Sequence, residues 1–195
     1  MAILALRRLW RLSALIFPLT YYFANKTTTF FMCLVILAIF LSLELRRHLD
    51  FEFNRNFFQR FDFLLKEKEK QGLLTTTWFV FGVFLCVIFF TKQIAITAIL
   101  FLIFGDMAAN FFGLKFGKRK ILNQRTLEGS LANFIVCLII GIILKFTSLA
   151  LPTQTIISGA LAASLAEYLP LPIDDNFTLG LFSGIIMTLV SKVVA

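Results

Sequence analysis

Long apolar stretches alternate with short polar connections along most of the chain. The stretches lie at residues 12–24, 29–43, 73–90, 94–112, 130–150, 155–169 and 177–194. A helix needs about 20 mainly apolar residues to cross the hydrocarbon core of a bilayer. The pattern therefore predicts an all-α polytopic membrane protein with about seven transmembrane helices.

The longest polar connection, residues 44–72, has a helical pattern of its own. Its apolar positions recur at helical spacing and are opposed by polar ones; they are Phe57, Phe58, Phe61, Leu64 and Leu65, against Gln59, Asp62, Lys66 and Lys70. A helix with this pattern lies in the membrane interface, with its apolar face toward the lipid. We therefore predict a cytoplasmic interfacial amphipathic helix; the alternative is a solvated connector without chemistry.

The composition restricts the class of protein further. Of the 195 residues, 59% are hydrophobic, 25 are phenylalanine and 15% are charged, whereas soluble domains have about 45–50% apolar and about 25% charged residues. These values exclude a water-soluble globule, a disordered tail and a secreted disulfide scaffold. Seven spans leave room for short loops alone, so we expect one integral membrane domain over residues 1–195.

Lysine and arginine are distributed unevenly among the predicted loops. With the N-terminus in the cytoplasm, all but four of the 19 lie on inside segments; the four are Lys26, Lys92, Lys145 and Lys192. The positive-inside rule then predicts a cytoplasmic N-terminus and an outside C-terminus. The net charge of +8 thus reports topology rather than nucleic-acid binding, and a bacterial inner membrane is the expected location.

Polar side chains near the cytoplasmic end of the fourth span are candidate functional residues. A charge at the centre of a membrane helix costs about 2.5–3.5 kcal/mol, so it marks function by default. Asp106, Asn110 and Gly113 are spaced i, i+4 and i+7 and share one helical face. Gly113 and Gly117 would let a backbone approach a ligand closely, and four basic residues surround them: Lys115, Lys118, Arg119 and Lys120.

Further acidic residues map to the same side of the membrane. Glu128 opens the fifth span, Glu167 lies near the end of the sixth, and Asp174 and Asp175 precede the seventh. We expect these acids to converge with Asp106. Carboxylates bind Mg²⁺, the metal bridges nucleotide phosphates, and basic side chains neutralise the phosphate oxygens. The combination suits phosphoryl transfer from a nucleotide to a membrane substrate.

Each of these features also has a purely structural explanation. Asp106 could satisfy helix packing, the basic run could anchor the topology, and Asp174 and Asp175 could cap the seventh span. The cysteines lie inside apolar runs and predict neither a disulfide nor a zinc site; they are Cys33, Cys86 and Cys137.

In their order along the chain, the motifs resemble a signature shared by CTP-dependent lipid kinases and phosphatidate cytidylyltransferases. The matching motifs are Gly105-Asp106-x-Ala108-Ala109, Gly113-x-x-Phe116-Gly117-Lys118 and Thr126-Leu127-Glu128-Gly129-Ser130. The kinase branch includes dolichol kinase, phytol kinase and the CTP-dependent diacylglycerol kinase. Three further motifs of this chain are similar to motifs of that branch: Lys66-Glu67-Lys68-Glu69, Glu167-x-x-Pro170-x-Pro172-x-Asp174-Asp175-Asn176 and Ser183-Gly184. The Lys-Asp and His-Gly-Gly motifs of the cytidylyltransferases do not occur.

The resemblance implies a CTP-dependent kinase that converts a membrane lipid alcohol, of diacylglycerol, polyprenol, dolichol or phytol type, to its monophosphate. On the basis of this resemblance we predict catalytic carboxylates at Asp106, Glu128, Asp174 and Asp175, and Mg²⁺ bound by Asp106, Glu128 and Asp175. The predicted nucleotide-binding residues are Gly105, Asn110, Gly113, Lys115, Gly117, Lys118, Arg119, Arg7 and Arg8. The alternatives are a phosphatidate cytidylyltransferase and, in a different class, a small ion- or proton-coupled transporter. The sequence leaves the identity of the lipid and the oligomeric state open.

The chain departs from the family pattern near its start. Members often carry Arg-Lys, with a histidine three residues after the lysine, where this chain has Arg7-Arg8 and then Arg11. Arginine stays protonated and cannot accept a proton, so Arg11 cannot replace a histidine that acts as a base.

Overall fold

The protein has an all-helical fold in the part of the chain that the computed structural model describes, residues 11–61, 65, 67–70, 72–118, 125–169 and 174–194. The α-helices are α1 (Ile16–Phe23), α2 (Lys26–Leu49), α3 (Phe51–Phe61), α4 (Thr75–Phe89), α5 (Lys92–Leu100), α6 (Asp106–Phe116), α7 (Leu127–Leu144), α8 (Thr153–Tyr168) and α9 (Asp175–Val194). Short 3-10 turns at Ser13–Leu15 and Glu67–Lys70 precede α1 and α4. A π-helical turn, Phe101–Gly105, joins α5 to α6.

Four helical segments in the described ranges are long and apolar enough to cross a membrane. They are Lys26–Leu49, Lys92–Phe116, Leu127–Leu144 and Asp175–Val194. Ser13–Phe23 and Thr75–Phe89 are apolar but shorter. The structure thus confirms an all-helical chain with segments suited to a membrane, whereas seven spans stay a prediction.

The helix ends differ most from the predicted boundaries in two places. Helix α2 continues past residue 43 to Leu49, and α7 ends at Leu144 rather than at residue 150. After Leu144 the backbone tightens into turns, since the amides of Phe146 and Thr147 donate to the carbonyls of Ile143 and Leu144 at 3.1 and 3.0 Å. The apolar run therefore extends beyond the helix that it forms.

The antiparallel helices bring several connections together at one end of the bundle. Lys26, at the start of α2, donates to the carbonyl of Ile88 in α4 at 2.8 Å. Lys92, at the start of α5, donates to the carbonyl of Tyr22 at 2.9 Å, and Ser148, after α7, donates to the Tyr22 hydroxyl at 3.4 Å. The C-termini of α2, α6 and α8 consequently lie at the opposite end, which we call the site end.

Helices α6 and α7 approach closely through glycines. A Cβ added to Gly129 of α7 would lie 2.9 Å from the Ala109 carbonyl oxygen of α6. A Cβ added to Gly113 of α6 would lie 2.9 Å from the Thr126 hydroxyl. Such distances leave no room for a methyl group, so the two backbones pack directly against each other. This contact sets the position of Asp106 relative to the start of α7.

A buried ionic network joins α2, α3 and α4. Arg47 and Glu44 are 2% and 3% exposed, and Arg47 Nη1 donates to Glu44 Oε2 at 2.5 Å. Arg47 Nε also donates to Asn54 of α3 at 3.1 Å. The other Glu44 oxygen accepts from the Leu74 amide at 2.6 Å and from the Thr77 hydroxyl at 2.7 Å. Because every charge has a partner, the network can stay buried and hold α3 against the bundle.

Helix α3 lies within the segment for which the amphipathic helix was predicted. Phe58 is buried, Phe57 is half-buried and Phe61 is 37% exposed. The Arg47 guanidinium lies 5.1 Å from the centroid of the Phe58 ring, so the apolar face packs partly on the protein itself. Asp62, Leu64 and Lys66 of the predicted helix lie outside the described residues, and the interfacial placement stays a prediction.

Candidate functional site

Asp106 is the first residue of α6, directly after the π-helical turn, and it is 7% exposed. Asn110 Nδ2 donates to Asp106 Oδ1 at 2.9 Å and to the Asp106 carbonyl at 2.8 Å. Arg11 Nη1 donates to the other carboxylate oxygen, Oδ2. Each oxygen of this buried carboxylate therefore has a donor, and one donor carries a positive charge.

Arg11 also lies within electrostatic range of Asp174 and Asp175, at the start of α9. Burial lowers the pKa of its guanidinium, and the nearby carboxylates of Asp174 and Asp175 oppose that shift. An arginine keeps its proton in proteins, so Arg11 brings a permanent positive charge close to three carboxylates. Sequence reasoning noted Arg11 as a departure from a family pattern, and the structure places it in contact with Asp106.

Arg125, just before α7, connects the end of α8 to the start of α9. Its Nη1 donates to the carbonyls of Glu167 and Leu169, the latter at 2.7 Å. Its Nη2 donates to Asp175 Oδ1. Carbonyls at a helix C-terminus lack intrahelical donors, and Arg125 supplies them while neutralising Asp175. This role was missed from the sequence, where Arg125 is one more basic residue in a basic loop.

Glu167 forms a hydrogen bond with α7. The Ser130 hydroxyl donates to Glu167 Oε2 at 2.5 Å. Ser164, one turn earlier on α8, donates to the Ser130 carbonyl at 2.8 Å. The two bonds fix the site end of α8 against the first turns of α7, and they place Glu167 beside the motif that contains Glu128.

Asp174 caps α9. Its Oδ1 accepts from the backbone amide of Asn176 at 3.1 Å and from the Asn176 side chain at 2.7 Å. A carboxylate at this position bonds the free amides of the first turn and interacts favourably with the helix dipole. The structural explanation for Asp174 is therefore met, and a catalytic role would be additional to it.

Glu128 lies half-buried in the first turn of α7. Thr126 caps that helix, since its hydroxyl accepts from the Gly129 amide at 3.2 Å. In the described ranges, no three side chains of His, Cys, Asp or Glu are grouped so as to hold a metal ion. Carboxylate oxygens nevertheless suit Mg²⁺, which commonly binds one or two of them and completes its coordination with phosphates and water. The donor set thus fits the predicted metal by chemistry, and Mg²⁺ on Asp106, Glu128 and Asp175 stays a prediction.

Lys115 does not lie with Asp106. Nine positions along an α-helix correspond to about two and a half turns, so the two residues are on opposite sides of α6. The Lys115 ammonium lies 5.2 and 5.8 Å from the ring centroids of Phe116 and Phe111. Lys118 follows the end of α6 and is exposed. Three other predicted phosphate ligands lie outside the described residues: Arg7, Arg8 and Arg119.

The glycines predicted to approach a nucleotide all have packing roles. Gly105 is buried, and a Cβ on it would lie 2.8 Å from the Cys137 sulfur of α7. A Cβ on Gly117 would lie 2.5 Å from Cγ2 of Thr126, and Gly113 faces the same threonine. Close helix contact is therefore sufficient to explain these glycines, and their binding of a nucleotide stays a prediction.

Comparisons with known proteins give distant similarities. No protein-family model matches the chain, and no solved structure matches it. An uncharacterized protein of Rickettsia prowazekii is 29% identical over 183 residues, which is 90% of this chain and 88% of that protein.

Two matched relatives carry a functional name. CTP-dependent diacylglycerol kinase 1 of Eremothecium gossypii is 28% identical over 158 residues, 69% of this chain and 50% of the kinase. The protein of the same name in Saccharomyces cerevisiae is 26% identical over 153 residues, 66% of this chain and 52% of the kinase. The chain thus matches about half the length of these two kinases, and the similarity gives weak support to the kinase resemblance of the motifs.

Proposed function

We propose that the protein is a CTP-dependent kinase that phosphorylates a lipid alcohol at the cytoplasmic face of a membrane. The observation that carries this proposal is the placement of Asp106, a buried carboxylate bonded to Asn110 and Arg11. Arg11 in turn lies within electrostatic range of Asp174 and Asp175 at the start of α9. The two diacylglycerol kinases among the relatives support the choice of CTP and of a lipid acceptor. Diacylglycerol, polyprenol, dolichol and phytol are the candidate acceptors.

In the proposed reaction, the hydroxyl oxygen of the lipid attacks the terminal phosphorus of CTP. The bond from that phosphorus to the bridging oxygen breaks, CDP leaves, and the hydroxyl proton passes to Asp174 or Asp175 as general base. Mg²⁺ bound by Asp106, Glu128 and Asp175 would neutralise the phosphate oxygens. Four basic side chains would bind the phosphate oxygens of CTP: Lys118, Arg119, Arg7 and Arg8.

The membrane arrangement that accompanies this reaction has seven spans, an interfacial α3, a cytoplasmic N-terminus and an outside C-terminus. We place it in a bacterial inner membrane, as one domain. This arrangement is supported by Lys26 and Lys92, which donate to the carbonyls of Ile88 and Tyr22 at the end of the bundle opposite the site end. The single variants Lys118→Cys and Lys145→Cys should react with a membrane-impermeant maleimide from opposite sides of the membrane. The native Cys33, Cys86 and Cys137 are fully buried and should stay unlabelled; labelling of both new cysteines from one side would contradict this topology.

The decisive experiment supplies purified protein in mixed micelles with Mg²⁺ and CTP or ATP labelled in the terminal phosphate. Each candidate lipid alcohol is offered, and label is followed into the organic phase. Label from CTP in one lipid is the expected result and identifies the acceptor. Pyrophosphate release from CTP and phosphatidate would instead indicate a cytidylyltransferase, and solute uptake without nucleotide consumption would indicate a transporter.

The variant Asp106→Asn tests the site within the same assay. We expect loss of turnover with normal membrane insertion, because the amide loses the negative charge and pairs poorly with Arg11. Glu52→Gln is a matched control, since Glu52 is an exposed carboxylate on α3 and the change also converts an acid to an amide. Full activity in Asp106→Asn would remove Asp106 from the site.

A further inference from the structure

Arg11 and Arg125, both at the site end, differ in how their donors are engaged. Arg125 uses Nη1 on the carbonyls at the end of α8 and Nη2 on Asp175. Arg11 uses Nη1 on Asp106, whereas its Nε and Nη2 groups make no hydrogen bond within the described part of the chain. Its side chain is 29% exposed, so the residue is partly open to solvent.

The guanidinium of Arg11 is suited to bind an oxyanion in this position. Its N–H groups form a rigid planar fork that matches two oxygens of a phosphate. Asp106, itself bonded to Asn110, holds one edge of the fork and so restricts how the guanidinium can rotate. Carboxylates surround the region and repel phosphate, which makes a fixed positive charge there a requirement for nucleotide binding.

The lysine that the sequence predicted for this role is placed less well. Lys115 lies on the side of α6 away from Asp106 and packs its ammonium over Phe111 and Phe116. A lysine beside aromatic rings at a helix end is typical of a membrane interface. The contact with Asp106 therefore favours Arg11 over Lys115 as a phosphate ligand at this position.

We propose that Arg11 binds a phosphate group of the nucleotide through Nε and Nη2, while Asp106 holds its guanidinium in position. The inference rests on the proposed function, because it names the phosphate ligand of that site. It assigns a binding role to an arginine at the position where the resembling kinases often carry histidine.

The test measures binding rather than turnover. Purified protein in detergent is titrated with CTP, tripolyphosphate and cytidine, with and without Mg²⁺, for the wild type, Arg11→Gln, Arg11→Lys and Arg55→Gln. Loss of a charge-assisted hydrogen bond predicts about tenfold or greater weakening of CTP and tripolyphosphate binding in Arg11→Gln. Cytidine affinity should not change, and Arg11→Lys should lie between because it keeps the charge without the fork.

Arg55→Gln is the matched control, since it removes an exposed arginine of α3, and it should bind all three ligands as the wild type does. Wild-type affinity for tripolyphosphate in Arg11→Gln, or an equal loss in Arg55→Gln, would overturn the inference. If Arg11→Gln has lost helicity or thermal stability, the comparison of Arg11→Lys with the wild type decides. Two further outcomes separate this inference from the kinase proposal. If polyphosphate binding depends on Arg11 but no lipid is phosphorylated, the kinase proposal is overturned and this inference stands. If a lipid is phosphorylated and the transfer does not depend on Arg11, this inference is overturned and the kinase proposal stands.

Discussion

Arg125 and Asp175 form an ion pair at the site end although 50 residues separate them in the chain. The same guanidinium bonds the last carbonyls of α8 through its other terminal nitrogen. One side chain thereby fixes the end of α8 and the start of α9 relative to the beginning of α7. The position of Asp175 at the start of α9 therefore depends on Arg125.

Replacing Arg125 should separate these elements. In Arg125→Gln the carboxylate of Asp175 loses its ionic partner and the α8 carbonyls lose their donors, which predicts a stability loss of about 1–3 kcal/mol. We also expect kcat to fall by a larger factor than that by which KM changes. Arg125→Lys should recover part of the stability but little kcat, because an ammonium cannot span both groups with fixed geometry. Steady-state kinetics and thermal unfolding in detergent measure both effects. Arg55→Gln, at an exposed position of α3, is the control, and wild-type kcat in Arg125→Gln would contradict a positioning role.

Enlarging Gly129 should force α6 and α7 apart. A Cβ at this position would lie 2.9 Å from the Ala109 carbonyl oxygen, and overpacking of this kind costs about 1–3 kcal/mol. Gly129→Ala should therefore lower the unfolding temperature in detergent. Gly180→Ala is the matched control on α9, since its Cβ would meet no atom closer than 3.4 Å. Equal unfolding temperatures for the two variants would show that α6 and α7 do not pack as described.

Removing the charge of Glu44 should destabilise the bundle at α3. Glu44→Gln leaves the guanidinium of Arg47, 2% exposed, without its carboxylate. Breaking a buried ion pair on one side costs about 3–5 kcal/mol. Chemical unfolding followed by circular dichroism measures the loss. Glu52→Gln changes an exposed acid on α3 and should have no effect; a Glu44→Gln variant as stable as the wild type would mean that the network contributes little to stability.

Local patterns in the sequence predicted much of the helical architecture. Apolar runs indicated the membrane helices, because burial in lipid requires apolar side chains along a whole segment. The spacing of Asp106 and Asn110 predicted their shared face, since the helical repeat alone determines it, and they are bonded at 2.9 Å. Apolar positions at helical spacing, opposed by polar ones, indicated a helix in the connection where α3 lies.

Only the tertiary structure decided which charges meet. Arg11 pairs with Asp106 across 95 residues, and Arg125 pairs with Asp175, because helix packing brings their elements together. In the sequence, an arginine beside an apolar run has the same appearance whether it anchors topology or forms an ion pair. The direction of Lys115 away from Asp106 follows from the helical repeat, but its contact with phenylalanine rings required the folded chain. Identity and spacing thus determined the helices and their polar faces, while the packing of distant segments determined the site.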